Sequence, residues 1–447
     1  FADVILNPTF PASEFNNLKN RQMSALRAQR SQPNFLADER ISKALYGDHP
    51  ASRASLTAED LQRLTPEMLQ KFHAAYFKPN NAFLAITGNV EPSAIVAKLE
   101  KVFGTWQKGD APASTIPQVN DLGSAKIYLI DRPGSVQTNL VLGTLAIDRT
   151  DPDYIAFRVM NQVFGGSPSA RLFLNLREDK GYTYGAYSQL NTPKYRGNFR
   201  ANTEVRSEVT EGSMKELFYE LKRIREEKVP TTELESAKRA IVGSFALQLE
   251  SPQTLLNNIV TQKLYGLPAD YWDTYPQKIA AVTPEDVQRV AQKYLILDKL
   301  QIVAVGDASK ITEALKKYGT IEVYDTDGKP KAAASASSAN SSAGGNVSLA
   351  GQWTLMVKTP DGNEFPLDTT IKVDGGKITG NIESPFGPSQ IVGGEIKGED
   401  VTLKIKAEVQ GQTMEMSFTG KQSGKTLKGS ISSNAFPPMD VNGTKKD

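Results

Sequence analysis

The sequence predicts an α+β protein in which one unit occurs twice, the first copy without its beginning, followed by a small all-β antiparallel barrel. Three observations predict it. A helix–strand–helix pattern returns at a constant separation of 218 residues, an Ala/Ser-rich tract occupies 327–346, and short alternating strands with Gly-containing turns follow that tract. The expected division is the later half of a first unit over 1–110, a connector over 111–124, a complete second unit over 125–326, the tract as linker, and the barrel over 347–447.

The repeat is read residue by residue. LTPEMLQKFHAAYFKPNNAFLAITGN (64–89) returns as VTPEDVQRVAQKYLILDKLQIVAVGD (282–307), so that Thr65-Pro66-Glu67 answers Thr283-Pro284-Glu285, Tyr76 answers Tyr294 and Gly88 answers Gly306. Upstream, Pro33 answers Pro252 and Leu45-Tyr46-Gly47 answers Leu264-Tyr265-Gly266, now 219 apart. In each copy Thr is placed as N-cap, Pro at the first helical position and Glu beside the positive end of the helix dipole. A strand follows, AFLAITG or LQIVAVG, and then a second helix over 92–103 or 309–318. Segment 125–231 has no counterpart and its equivalent is expected ahead of Phe1. The opening FADVILNPTF, with neither initiator Met nor signal-peptide pattern, reads as an interior point of a longer protein.

The second copy opens with two strands, KIYLIDRP and TNLVLGTLAI. DPDYIAFRVMNQVFGG is an amphipathic helix with Ile155, Val159 and Val163 on one stripe and Gly165-Gly166 as its stop. SARLFLNLREDKG is a short helix ended by Gly181, YTYGAYSQL alternates as a strand, and NFRANTEV is its partner. Helices over 209–226 and 232–265 follow, the latter broken at Pro252. The expected result is a mainly antiparallel sheet covered by helices on one face.

Composition narrows the function. The formal charge of the 447 residues is +2 and no basic tract occurs, so a nucleic-acid partner is not expected. No run of 18 apolar residues occurs, so no transmembrane segment is expected. There is no cysteine, which removes disulfides, thiolate metal sites and a Cys nucleophile. The two histidines, His49 and His73, are 24 apart and share no metal-binding spacing.

The string GGSPSARLFLNLREDKGYTYGAYS (165–188) carries the chemistry. Arg177 ends a helix, Gly181 lets the chain reverse, and Tyr184 lies two residues beyond Tyr182, on the same face of the next strand. A permanently charged fork beside a phenol suits an oxyanion or a substrate carbonyl. On the residues alone a plainer reading stands beside it, in which Tyr184 packs on the sheet and Arg177 pairs with Glu178 or Asp179. Gly165-Gly166-Ser167-Pro168 lacks the Lys-Ser/Thr of a phosphate loop and reads as a helix stop and turn.

Arg and Tyr seven residues apart, with the Tyr in a Gly-flanked strand, resemble the C-terminal motif of the pitrilysin/insulinase family of zinc metallopeptidases, and the tandem repeat over 1–325 resembles its duplicated domains. The resemblance implies tandem metallopeptidase-like domains, a closed chamber, and an Arg/Tyr pair that faces the zinc site, contacts the peptide substrate and helps stabilise the tetrahedral intermediate. Those roles carry onto Arg177 and Tyr184, with Gly165, Gly166 and Ser167 expected beside the substrate. The zinc site of such enzymes needs an H-x-x-E-H helix and a distant Glu. No such string occurs, and the helix EFNNLKNRQMSALRAQR has Ser24-Ala25 where a Glu-Glu pair is expected. No metal ligand is therefore assigned in this chain. Zinc is expected in a partner subunit or an N-terminal half, and the chain is expected to be inert alone. A periplasmic or secreted location is expected.

GQWTLMVKT, FPLDTTIKV, KITGNIES, SQIVGGEIKG, DVTLKIKAEV, MEMSFTGKQ and LKGSISS give about seven strands. They look like the small lipocalin-like modules appended to bacterial hydrolases, as a structural or docking part. Two alternatives to the accessory role are a catalytically inert assembly paralogue and an envelope- or carbohydrate-binding protein acting through the barrel. Ala/Ser-rich tracts bury too little apolar surface to offset the entropy of ordering them, so limited proteolysis is expected to cut within 327–346 and release an intact barrel near residue 347. Resistance of the tract to mild digestion would contradict that reading.

Overall fold

A computed structural model of the chain describes residues 1–113, 115–331, 349–358, 364–374, 377–384, 387–409, 412–433 and 438–446. It divides into two compact units, Phe1–Ala334 and Ser335–Asp447. Most of the Ala/Ser-rich tract, from residue 332 on, lies outside the described residues.

The first unit opens with α1 (Ala2–Leu6), α2 (Ala12–Arg30), α3 (Pro33–Tyr46), α4 (Ala58–Arg63), α5 (Pro66–Tyr76) and α6 (Pro92–Phe103). The second copy of the repeat contains β1 (Lys126–Asp131), β2 (Gln137–Leu145), α7 (Tyr154–Phe164), α8 (Arg171–Phe173), β3 (Thr183–Asn191), β4 (Asn198–Arg206), α9 (Thr210–Glu226), α10 (Thr231–Gln248), α11 (Pro252–Tyr265), α12 (Tyr275–Ala280), α13 (Pro284–Tyr294), β5 (Gln301–Gly306), α14 (Ala308–Leu315), β6 (Thr320–Tyr324) and β7 (Pro330–Lys331). Thr65 and Thr283 are N-caps with Pro at the first helical position, as the repeat predicts, and Thr283 exchanges a reciprocal capping pair with Asp286.

Among the described residues the sheet has seven strands in the order β3-β4-β2-β5-β1-β6-β7. β3 through β5 pair antiparallel, while β1 runs parallel to both β5 and β6. Helices do not cover one face only, as expected from the sequence. Ile127, Leu129, Leu140, Leu142, Ile302 and Ala304 pack against the helices of their own copy. Ile130, Val141, Val303 and Val305 face the other way, and α3, which belongs to the first copy, seals them with Leu36, Ile41 and Leu45. The alternation of β2 and β5 is apolar on both sides, so one layer of helices cannot bury it.

A second expectation fails in an informative way. AFLAITG (82–88) has the letters of a strand, yet it pairs with no strand among the described residues, and Phe83 is 65% exposed. Its counterpart β5 is buried throughout because β2 and β1 flank it.

In the second unit the described residues form β8 (Gly351–Lys358), β9 (Glu364–Asp374), β10 (Lys377–Glu383), β11 (Ser389–Lys397), β12 (Asp400–Val409), β13 (Gln412–Ser423), β14 (Thr426–Ser433) and β15 (Met439–Lys445). Each pairs antiparallel with the next, and β15 returns to β8, so eight strands close the barrel rather than about seven. Trp353, Leu355, Leu403, Ile405 and Phe418 fill the interior, and the Trp353 indole donates to the Leu349 carbonyl at 2.9 Å. Gly420 and Gly429 face each other across β13 and β14, where a Cβ on either would strike the Phe418 ring within 3 Å. The described interior side chains form one apolar cluster.

Asp153, at the start of α7, ties that helix to α13. It accepts hydrogen bonds from Arg289 at 2.7 Å, Lys293 at 2.8 Å and Tyr294 at 2.8 Å. Burial works to raise its carboxyl, but the bonds from Lys293, Arg289 and Tyr294 outweigh it and hold the group down at about 2. A carboxyl depressed on folding stabilises above its unfolded value near 3.8, and that contribution is lost as pH falls toward 2. Asp153→Asn is expected to cost about 2 kcal/mol in denaturant unfolding at neutral pH, with the gap to the parent narrowing between pH 4 and about 2. A gap that stays constant over that range would show that the ion pairs do not carry it.

Candidate functional site

Arg177 and Tyr184 reach one place from two adjoining elements. α8 runs on into a π-helix over Leu174–Asp179, which carries Arg177. This segment is held from beneath. Arg171 donates through Nε and Nη2 to the Glu233 carboxylate at 2.7 and 2.8 Å, and Asn175 donates to Glu220 at 2.9 Å and Glu216 at 3.1 Å. Arg171 is nearly fully buried, so the two-pronged pair with α10 leaves the helix little room to shift.

The chain then reverses at Gly181, where φ is +62°, a conformation that favours glycine. The Tyr182 N–H donates to the Leu176 carbonyl at 2.9 Å and so clamps strand to helix. β3 begins with a register shift against β4 between Thr183 and Ala186. The Thr183 hydroxyl holds this bulge: it donates to the Glu204 carbonyl at 2.6 Å and accepts the Gly185 N–H at 3.0 Å. Tyr182 and Tyr184 both line one recess, but to different depths: Tyr182 is half-buried and packs against the core, whereas Tyr184 is 87% exposed.

The Arg177 guanidinium carbon lies 5.7 Å from the Tyr184 ring centroid. Arg177 Nε is also 3.8 Å from Glu178, a loose contact between two half-exposed side chains, and Tyr184 is not packed on the sheet. Both line a recess of about 400 Å³ with Val136, Gln137, Thr183, Glu204, Arg206 and Glu208. The sequence reading missed Glu204, Arg206 and Glu208. Once Thr183 pairs with Val205, the flanking residues of β4 come beside the motif, but that register depends on the bulge. Arg206 reaches the Gly181 carbonyl at 3.4 Å.

The turn over Gly165, Gly166 and Ser167 is not part of the recess. It ends α7 and runs against β3 farther along, where the Gly165 carbonyl accepts the Ser188 N–H at 2.8 Å. A Cβ on Gly165 would sit 2.6 Å from that nitrogen, so only glycine allows the approach. Ser167 is hydrogen-bonded to Ser169 at the surface.

The two histidines and the Ser24-Ala25 pair, all among the described residues, are not arranged to hold a zinc ion. His49 uses both ring nitrogens, one toward the Pro117 carbonyl and one accepting the Ala51 N–H, and His73 contacts the Ile5 carbonyl. Ser24 and Ala25 lie on α2. Among the described residues no group of three His, Cys, Asp or Glu side chains is placed to hold a metal, and no helix is long and apolar enough to cross a membrane.

Comparison with known proteins places these features in context. The family described as "Peptidase M16 inactive domain" matches residues 63–241. The chain is 33% identical to a solved Pseudomonas fluorescens protein described as a peptidase M16 inactive domain, covering 68% of this chain and 73% of that one with a TM-score of 0.64. It is 25% identical to the Bacillus subtilis "Uncharacterized zinc protease YmxG" over 66% of this chain and 72% of that protein. It is 21% identical to the Helicobacter pylori "Non-peptidase homolog YmxG" over 69% of this chain and 71% of that one.

Thr183→Val keeps the shape of the side chain but takes from the half-buried Gly185 N–H its hydroxyl acceptor and from the Glu204 carbonyl its hydroxyl donor. Its expected cost is roughly 1–3 kcal/mol, with faster hydrogen exchange confined to residues 183–186. Unchanged exchange there would mean that the bulge does not depend on the hydroxyl.

Proposed function

Because the chain belongs to the peptidase M16 family, on the side described as its inactive domain, we propose that it is the non-catalytic partner in a zinc endopeptidase that degrades peptides. Zinc and the bond-breaking chemistry belong to a partner bearing the H-x-x-E-H helix. This chain supplies binding and orientation. The observation that carries the reading is the convergence of Arg177 and Tyr184 at an open recess, at 5.7 Å, on a helix and a strand that partly buried bonds hold in place.

The chemistry follows from the two groups. The Arg177 fork can donate to a peptide carbonyl, while the Tyr184 phenol supplies one further donor. As the carbonyl oxygen gains negative charge, both bonds strengthen, so the pair favours the transition state over bound substrate. The exposure of Tyr184 fits a group that acts on something outside this chain. The turn at Gly165–Ser167 is proposed to lie along the path of the peptide, and the envelope of a bacterium is the proposed location, consistent with a chain free of cysteine.

A second reading rests on the likeness to a protein named a non-peptidase homolog: the chain serves assembly alone. The two separate in one experiment. In the assembled enzyme, Tyr184→Phe removes one donor and little volume, and Arg177→Lys replaces a planar fork with a point charge. Each is expected to lower turnover about a hundredfold with the assembly intact, the loss typical of a missing oxyanion donor. Full turnover with both substitutions would leave the assembly reading standing.

A further inference from the structure

Arg149 lies in the loop between β2 and α7, half-buried, and its charge has no counter-ion among the described residues. Its guanidinium carbon stands 4.0 Å from the centre of the Tyr154 ring, 5.8 Å from that of Tyr271 and 6.0 Å from that of Trp272. The Nε–H is buried without an acceptor, and the two terminal nitrogens reach the surface with no partner among the described residues. The carboxylates nearest in the chain are engaged elsewhere. Asp148 accepts from the Thr150 N–H and hydroxyl at 2.8 and 2.7 Å, Asp151 accepts the Asp153 N–H at 2.8 Å, and Asp153 is bound to α13. Aromatic faces replace only part of the water that such a charge loses, so a half-buried cation is normally paired. Burial draws this guanidinium below its ordinary value, and Arg158 adds to the effect.

The charges around Arg149 are positive. Arg158, exposed on α7, has its guanidinium carbon 6.0 Å from the centre of the Tyr275 ring, and the Lys278 Nζ lies 5.4 Å from that of Tyr271; neither pairs with a carboxylate among the described residues. Tyr271 is only 8% exposed, yet its buried hydroxyl has no hydrogen-bond partner. Burial pushes this phenol up, and the cations that work against the rise are Arg149 and Arg158. One cluster thus holds three cations, an orphaned N–H and an orphaned hydroxyl, and nothing in it supplies negative charge.

We infer that Arg149, Arg158 and Lys278 form a binding site for a phosphate-type oxyanion. The outward nitrogens of Arg149 offer it a planar fork, and Arg158 and Lys278 add charge. The rings of Tyr154, Tyr271 and Trp272 hold the fork in place beforehand, so little side-chain freedom is lost on binding. Three unpaired cations favour a dianion over a single carboxylate. A free phosphate compound and a lipid headgroup ending in a phosphate monoester present the same oxygens. The site is separate from the recess of Arg177 and Tyr184. Gln137 at the start of β2 lines that recess, and Leu145 ends the strand about 27 Å farther on. The inference is independent of the peptidase partnership.

The 447-residue chain is titrated calorimetrically with inorganic phosphate at constant ionic strength, with acetate as the comparison, and is floated with phosphatidylcholine vesicles with and without phosphatidic acid. Saturable phosphate binding, with acetate at least about tenfold weaker, assigns the site to a free phosphate compound, and flotation that needs phosphatidic acid without such binding assigns it to a headgroup. Arg149→Gln and Arg158→Gln are each expected to weaken the interaction at least about tenfold, the loss typical of a charge-assisted hydrogen bond, while Arg53→Gln, an exposed cation outside the cluster, leaves it unchanged. Arg158 is exposed, so its variant answers the question should Arg149→Gln fail to fold. Absence of binding in both arms, acetate binding as tight as phosphate, binding untouched by Arg158→Gln, or an equal loss with Arg53→Gln each overturn the inference.

Discussion

A sheet whose central strands are apolar on both faces must be covered twice, and the architecture of the first unit follows from that demand. β2 and β5 place buried residues alternately up and down, so the helices of their own copy satisfy only half of them. α3 crosses from the other copy to satisfy the rest and locks the two copies into one body. Polar bonds then fix its position. The Asn198 amide donates to the Tyr46 hydroxyl at 2.9 Å, Arg200 reaches the Ser42 hydroxyl at 3.0 Å, and the Arg40 guanidinium stacks 3.6 Å over the Tyr324 ring. Single substitutions in α3 therefore act on the sheet of a different repeat.

Arg177 and Tyr184 sit where that packing ends. β3 is the margin of the sheet, and the helix leading to it is tethered by bonds that stay inside while Arg177 and Tyr184 point out. This separates two requirements. Under the proposed role, precision comes from Arg171, Asn175, Gly181 and Thr183, and contact with the peptide from two side chains whose replacement disturbs little packing.

The local parts of this arrangement were legible. Thr-Pro-Glu marks a helix start wherever it occurs, and Gly165 and Gly181 end their helices, because capping and positive φ are decided within a few residues. What was not legible depends on distant partners. β6 becomes a strand only because β1 lies beside it, and 82–88, with nearly the letters of β5, stays unpaired because neighbours are lacking among the described residues. The motif residues Arg177 and Tyr184 could be named from the sequence, but not the bulge between Thr183 and Ala186, which depends on pairing with β4. In the barrel the eighth strand, β15, was not among the strands read from the sequence, and it contains Asn442-Gly443. There Gly443 makes room for Leu355 and Leu427.

The short strand β7 bears on how this protein behaves in a crowded solution. Its two residues cover the far margin of the sheet beside β6, and one of them is Pro330, which has no N–H to offer a newcomer. The turn before it is held by the Asp325 carboxylate, and Lys331 is pinned to Asp131 at 2.8 Å. At the opposite margin the Gly165 carbonyl already occupies the Ser188 amide, and the bulge at Thr183 breaks the regular spacing that another strand would need. A sheet of the seven described strands, with both margins open, could grow from molecule to molecule into a fibre. Here one margin is stopped by proline and a charged residue and the other by a bulge, so the completed sheet resists polymerisation.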